Sequence, residues 1–213
     1  MTEDEARSLI AGLTHVPRET WQALDTLAKL VKGEAAQHNL VASSTVDHIW
    51  SRHILDSAQL LAWAPSGERW LDLGTGAGFP GLVVAALRPW PMTLVEPRKL
   101  RADFLQRAID AMGLGNRTTV HCARVESLAP DAHGIISARA VASLEQLLGL
   151  AHVHQHKSTV WLLPKGRTAA SEVAAARRTW QGTFRIEPSM TDPDAGIVIA
   201  ENVQPKAGAG SKR

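Results

Sequence analysis

The residues with most chemical content form the run Asp72-Leu73-Gly74-Thr75-Gly76-Ala77-Gly78-Phe79-Pro80-Gly81. Four glycines, Gly74, Gly76, Gly78 and Gly81, lie between one short apolar run ending at Leu73 and another beginning at Leu82. Glycine at alternate positions permits backbone angles that a Cβ forbids and lets the main chain approach a ligand closely. An ordinary strand-to-helix turn gains nothing from so many residues that are costly to order, so the segment reads as a cofactor loop. Glu96 closes the next apolar run, where a bidentate acceptor meets ribose hydroxyls. It also suits the first turn of the helix that holds Leu100, Phe104 and Leu105, because a helix N-terminus favours an acid.

Two cofactor classes use such a loop, and residues 76–81 literally satisfy the G-x-G-x-x-G of dinucleotide sites. Three features favour S-adenosylmethionine instead. Asp72 stands two residues before the first glycine, where its carboxylate meets the cofactor's amino group directly or through water and would repel a pyrophosphate. Pro80 removes an amide donor from the stretch that would cradle phosphate. The chain also has no Tyr, which excludes the tyrosine proton relay of many small nicotinamide enzymes.

What must position this loop is an alternation of short apolar runs and helical periodicity that begins at Trp70. Strands are expected near residues 70–73, 92–95, 118–125, 134–137 and 159–163, with two weaker candidates near Phe184 and Ile197; helices are expected over 82–87, 100–112, 144–150 and 169–180. Such alternation implies an α/β fold with a mostly parallel sheet, helices on both faces and ligands beyond the carboxyl ends of the strands. Before it, Thr2-x-x-Glu5 reads as a capping box, a second helix begins near Pro17 and carries Leu24, Leu27, Leu30 and Val31, and a third spans residues 46–63. The expected organisation is a helical extension over 1–66, a catalytic domain over 67–203 and a basic, disordered tail over 204–213.

The 213 residues, 45% of them hydrophobic, suffice for one core. A membrane span is not visible, the acidic start is unlike a secretory signal, and Cys122, the single cysteine, excludes an intrachain disulfide and a thiolate-rich zinc site. These point to a cytoplasmic protein. The formal charge of +2 is weak evidence for a polyanionic partner.

Several motifs in order resemble the small-subunit ribosomal RNA guanine-N7 methyltransferases, the family once called glucose-inhibited division protein B. Arg52-His53-Ile54-Leu55-Asp56-Ser57 is similar to its signature before the first strand, Asp72 to Gly81 to its cofactor loop, and Lys99 with Phe104-Leu105 to its next helix. Arg124-Val125-Glu126 resembles its adenine-side turn, and Ser137-Arg139-Ala140 and Lys165-Gly166 the ends of its fourth and fifth strands. The resemblance covers residues 39–166; one departure is Asn39-Leu40-Val41, where the family pattern has a hydroxyl residue third. It implies a Rossmann-like class I fold that uses S-adenosyl-L-methionine, releases S-adenosyl-L-homocysteine and methylates a guanine N7 of 16S rRNA, with the RNA or the small ribosomal subunit as partner and a monomer as working form. It also implies cofactor contacts from Gly74, Phe79, Val125, Glu126 and Arg139. From position alone, Val125 offers an apolar surface to adenine. Arg139 offers a fixed cation to the methionine carboxylate or to an RNA phosphate.

Guanine N7 has an in-plane lone pair and no proton, so the resemblance implies a site that aligns reactants and needs no general acid or base. Alignment alone can remove roughly 7–11 kcal/mol of barrier. Arg52 and Asp56 are four apart, as are His53 and Ser57, so each pair shares a helix face. Read alone, the first is a surface ion pair and His53 a half-buried histidine. With the resemblance, Arg52 and His53 border the cleft and Asp56 fixes Arg52. Candidates for RNA contact are Arg98, Lys99, Arg101, Lys165, Arg167 and the terminal Lys212-Arg213, each of which also reads as a solvated charge. Trp50 is a stacking candidate weaker than its reading as core. His152, His154 and His156 alternate, but lack an evident fourth ligand, so no metal is expected. The rival classes are a methyltransferase for another substrate, a nicotinamide oxidoreductase and a catalytically silent RNA-binding module.

Overall fold

The structure is a computed structural model that describes residues 1–35 and 43–207. Asn39-Leu40-Val41 and Lys212-Arg213 lie outside the described residues. Three helices come first: α1 (Glu3–Leu13), α2 (Arg18–Ala35) and α3 (Ser43–Val46). A π-helical turn (Trp50–Leu55) follows, then α4 (Asp56–Ala58) and a 3-10 turn (Gln59–Ala62). The expected single helix over 46–63 is thus three helical geometries in sequence. The rest runs β1 (Trp70–Leu73), α5 (Gly81–Leu87), β2 (Met92–Val95), α6 (Lys99–Ala111), β3 (Thr118–His121), β4 (His133–Ala138) and α7 (Leu144–Ala151). It ends with β5 (Gln155–Lys165), α8 (Ala169–Thr179), β6 (Trp180–Pro188) and β7 (Gly196–Pro205).

The seven strands form one sheet in the order β3-β2-β1-β4-β5-β7-β6. Strands β3 to β5 are parallel, and β7 runs antiparallel between β5 and β6. The order reverses beside β1, which opens a crevice beyond the carboxyl ends of β1 and β4. Buried strands in such a sheet bear apolar side chains on both faces. In β7, Ile197 and Ile199 join one core while Val198 and Ala200 join the other. The first core packs α1, α2, α5, α6 and the π-helical turn; the second packs α7 and α8.

The helices of the expected extension over 1–66 pack on the sheet: Ile10, Leu24, Leu27 and Ile54 are fully buried in the same core as Leu82 and Leu162. Gln204 and Pro205, expected at the start of the tail, pair with Gln181 and Trp180, and the Lys206 amide donates to Thr179 O at 2.8 Å. The two weak strand candidates prove long because β7 pairs on both sides, which supplies hydrogen bonds that local sequence does not reveal.

A bulge at Gly182 sets the β6–β7 register. Its φ is +150°, and a Cβ there would stand 2.9 Å from Glu201 O and 3.2 Å from Val203 Cα, both backbone atoms that cannot swing away. Gly182→Ala is expected to destabilise the protein by about 1–3 kcal/mol, read as a lower urea midpoint. An unchanged midpoint would mean that the last strand pair is not formed as described.

Candidate functional site

Asp72, at the end of β1, has a fully buried side chain. Its Oδ1 accepts from the Ser137 hydroxyl at 2.6 Å, and Ser137 Oγ accepts from Trp70 Nε1 at 2.7 Å. Its Oδ2 accepts from the Gly81 amide at 3.1 Å, which fixes the first residue of α5. Asp72 therefore braces the loop from behind and lines neither cavity described below. Of the two contacts expected for it, directly or through water, its burial away from both cavities leaves the indirect one. Burial pushes its pKa up to about 6, against the downward pull of Ser137, Thr75, the Gly81 amide and Arg139.

The loop itself needs its glycines. Gly74, Gly76 and Gly78 have φ of 62°, 59° and 98°, the left-handed region. Gly81 is required by contact, since a Cβ there would run into Leu94 Cδ2. Gly78 faces Leu82 and also lines neither cavity, so its role is in the turn. The Gly74 amide donates to Val95 O at 2.7 Å and the Gly76 amide to Glu96 Oε2 at 3.0 Å, tying the loop to the end of β2. Glu96 Oε1 accepts from the Arg98 amide at 3.0 Å, so the carboxylate is oriented before any ligand arrives.

Two cavities meet over this loop. The larger, about 890 Å³, is bounded by Gly74, Gly76 and Phe79, by Arg52, His53 and Asp56, by Arg139, and by the β6–β7 connection. The smaller, about 390 Å³, lies between Glu96, Arg98, Val125, Glu126 and Leu147. Gly74, Arg101, Ala140 and Val141 border both. Each falls within the roughly 300–1,000 Å³ of small-molecule sites. The smaller has a carboxylate at one side and an apolar Val at the other, an acceptor for ribose hydroxyls and a surface for a base.

In the larger cavity the widened π turn presents Arg52 and His53, with Asp56 just after it, while Ser51, Ile54 and Leu55 are buried. Single π turns recur at functional sites. Arg139, just beyond β4, joins these groups. It donates through Nη1 to Asp56 Oδ2 at 3.0 Å and through Nη2 to His53 Nδ1 at 2.9 Å, and its guanidinium carbon lies 5.2 Å from the Phe79 ring centre. His53 stacks on the same ring, centres 5.0 Å apart and planes 21° apart. Because a guanidinium only donates, His53 Nδ1 must accept, which leaves its proton on Nε2 to donate to Thr45 Oγ1 at 2.8 Å. Burial, then Arg139 and Arg52, lower the His53 pKa to about 3, so the ring is neutral at physiological pH.

Asp56 does not fix Arg52, as its spacing had implied. Its other oxygen, Oδ1, accepts from Thr191 Oγ1 at 2.8 Å and Gln59 Nε2 at 2.8 Å. Arg52 instead reaches across to Asp192 at 3.2 Å and Thr191 O at 3.3 Å, so the pair formed by proximity in sequence loses to partners on another element. Thr45, Gln59, Thr191 and Asp192 were not legible as site residues. Only Gln59 left a trace, a polar residue amid apolar neighbours, and it is fully buried.

Of the cationic candidates, Arg98 and Arg101 border the smaller cavity, while Arg167 lines neither cavity, is 83% exposed and pairs with Asp194. Lys99, 80% exposed, pairs with Asp103 outside both cavities. Lys165 is a correction: only 8% exposed, its Nζ donates to Ala142 O at 2.6 Å and pairs with Glu172 at 2.9 Å, because a long chain at this strand end points inward. Trp50 is core, with the Arg7 guanidinium 3.7 Å from its ring centre. His152, His154 and His156 each have separate partners, Gly149 O, Val125 O and Ser158. Among the described residues no group of three or more His, Cys, Asp or Glu is placed to hold a metal.

A parallel sheet with one reversed strand inserted next to its edge, and a glycine loop opening onto a nucleoside-shaped slot, define a class I S-adenosylmethionine-dependent methyltransferase. The same fold is found in an O-methyltransferase from Bacillus cereus solved with S-adenosylhomocysteine, 14% identical with a TM-score of 0.57 over 83% of this chain and 90% of that one. It is found too in a glycopeptide N-methyltransferase complexed with S-adenosylmethionine, 13% identical with a TM-score of 0.58 over 70% of this chain and 86% of that one. Within this class, the rRNA small subunit methyltransferase G family matches residues 20–192, and the chain belongs to that family. The ribosomal RNA small subunit methyltransferase G of Rhizorhabdus wittichii is 51% identical, covering 100% of this chain and 98% of that protein. The enzyme of that name from Zymomonas mobilis is 43% identical over 97% and 96%. The similarity thus extends beyond residues 39–166 at both ends.

The two shifted groups act oppositely on stability. Neutral His53 contributes stability that is full above its ordinary value of 6.5 and is lost as pH falls towards 3. Protonated Asp72 contributes stability that is full below 3.8 and is lost as pH rises through 6. Between about pH 4 and 6 the slopes oppose each other. Asp72→Asn is expected to make stability rise more steeply with pH in that window, by at most about 1.4 kcal/mol per pH unit, and His53→Asn to flatten or reverse it. Urea midpoints measured from pH 4 to 6.5 check this, and three parallel curves would contradict it.

Proposed function

We propose that this enzyme transfers a methyl group from S-adenosyl-L-methionine to guanine N7 in 16S rRNA, working in the cytoplasm as a monomer, without a metal, on the small ribosomal subunit or its RNA. The observation that carries the N7 reading is the state of the groups lining the larger cavity. His53 has its acceptor nitrogen engaged by Arg139 and its proton engaged by Thr45. Asp56 is paired with Arg139 and accepts two further hydrogen bonds. Neither is free to take a proton, and attack by an unprotonated ring nitrogen has none to give up. A target on an exocyclic amine or hydroxyl must lose a proton and would call for a base.

The donor supplies an electrophilic methyl group when bound. The chain's residues then hold and orient. Glu96, already fixed by the Gly76 and Arg98 amides, accepts from ribose hydroxyls, and Val125 with Glu126 flanks the adenine. Gly74 and Gly76 bring bare backbone against the cofactor, and Phe79 gives His53 and Arg139 a flat surface that keeps them upright. Arg139 retains N–H donors for the methionine carboxylate. Arg52, 44% exposed at the cleft, meets the RNA, with Arg98, Arg101 and Arg167 as further phosphate contacts.

The direct test is incubation of purified protein with S-adenosylmethionine and small subunits or 16S rRNA, followed by nucleoside analysis. The expected product is 7-methylguanosine, and its absence alongside another methylated nucleoside would overturn the reading. Arg52→Ala should reduce RNA methylation by about tenfold or more in kcat/KM while S-adenosylhomocysteine affinity changes by less than about twofold. Equal losses of both would contradict the placement of Arg52 on the RNA side.

A further inference from the structure

The Lys165–Glu172 pair has no part in the chemistry above, yet its side chains are only 8% and 19% exposed. Removing two charges from water is costly, and breaking one side of such a pair is costlier still, so a retained pair points to a placement it secures. Both members act on one stretch of chain. Lys165 Nζ donates to Ala142 O at 2.6 Å, while Glu172 Oε2 accepts from the Leu144 amide at 2.8 Å. Glu172 is itself held by the Thr168 hydroxyl on Oε1 at 2.7 Å. Residues 142–144 are therefore gripped at a carbonyl and at an amide by the same ion pair.

Directly before that stretch is Val141, an apolar side chain 44% exposed. Its Cγ2 stands only 2.5 Å from where a Cβ on Gly74 would be, so it lies over the glycine loop. Ala140 before it has φ of 56°, a left-handed conformation that residues with a Cβ adopt at a cost, and which something must hold in place. Ala140, Val141 and Gly74 border both cavities. Val141 is thus a roof at the junction of the cleft and the nucleoside slot.

We propose that Glu172 is a positioning residue for the cofactor: through Lys165 it holds residues 142–144, and hence Val141 over Gly74, and so sets cofactor affinity. The inference rests on the assignment of the two cavities to S-adenosylmethionine. It gives Lys165 a place in the cofactor side of the site and none in RNA contact. Val141→Gly removes the roof and leaves the pair. The double variant Lys165→Met with Glu172→Gln removes the pair and leaves no lone buried charge, which keeps the test independent of a folding failure in either single variant.

The experiment is calorimetric titration of the full chain with S-adenosylhomocysteine, alongside 16S rRNA binding measured across a salt series. Both variants should bind S-adenosylhomocysteine at least about fivefold more weakly than the unmodified chain, with RNA affinity and its salt slope unchanged. A loss under that size in either variant overturns the proposal. So does a fall of about one in the RNA salt slope of the double variant, which would mark Lys165 as a phosphate contact. Failure of the unmodified chain to bind S-adenosylhomocysteine would instead bring down the functional reading, and this inference with it.

Discussion

The site depends on one buried carboxylate. Asp72 ties three elements together at one point: its own strand, β4 through Ser137, and the start of α5 through the Gly81 amide. The space for it exists only because residue 81 has no side chain, since a Cβ would stand 2.8 Å from Asp72 Oδ2. Buried carboxylates survive only when their oxygens are satisfied, and here every oxygen has a donor. The left-handed turns at Gly74, Gly76 and Gly78 are then fixed at their base, and Arg139 two residues beyond Ser137 is carried to the cleft on the same strand end.

The electrostatics of the cleft follow from what is shielded. Arg139 would repel a protonated imidazole, so His53 stays neutral and accepts from it, and Asp56 balances the guanidinium. The result is a rigid set of groups with no free base. Rigidity of this kind serves a reaction in which alignment is the main demand, because no proton has to be moved as the bond forms. The oriented Glu96 plays the same part in the neighbouring slot, held by two backbone amides ahead of its ligand.

The glycine loop, Glu96 and the alternation of strands were legible in the sequence because each depends on local pattern: a glycine spacing, a strand end, a period of two or 3.6. The Asp56 partners were not, because spacing predicted Arg52 four residues away while the structure supplies Arg139 from just beyond β4 and Thr191 from the β6–β7 connection, both far along the chain. Lys165 failed for a related reason. A basic residue at a strand end reads as a surface charge, and only the position of Glu172 on the following helix reveals that it is turned inward. The extent of β7 was hidden because Gln204 and Pro205 have poor strand composition and owe their state to β6 alongside. Family resemblance added the Arg52–Ser57 signature, but it gave no account of which side chain holds which.

The position of β7 has a consequence for how the molecule is made. β7, the last described strand in chain order, is not at the rim of the sheet but is inserted between β5 and β6, and β6 pairs with the rest of the sheet only through it. The connection preceding β7 also carries Thr191 and Asp192, which close the cleft against Asp56 of α4 and Arg52 of the π-helical turn. Until synthesis reaches the final ten or so residues described, β6 has α8 beside it but no strand partner, and the β6–β7 connection is not anchored at the cleft, since non-local pairing cannot form before both partners exist. A chain cut short between Pro188 and Gly196 would therefore lack β7, leave β6 without a strand partner and leave one side of the cleft unanchored, although every glycine of the cofactor loop would still be present.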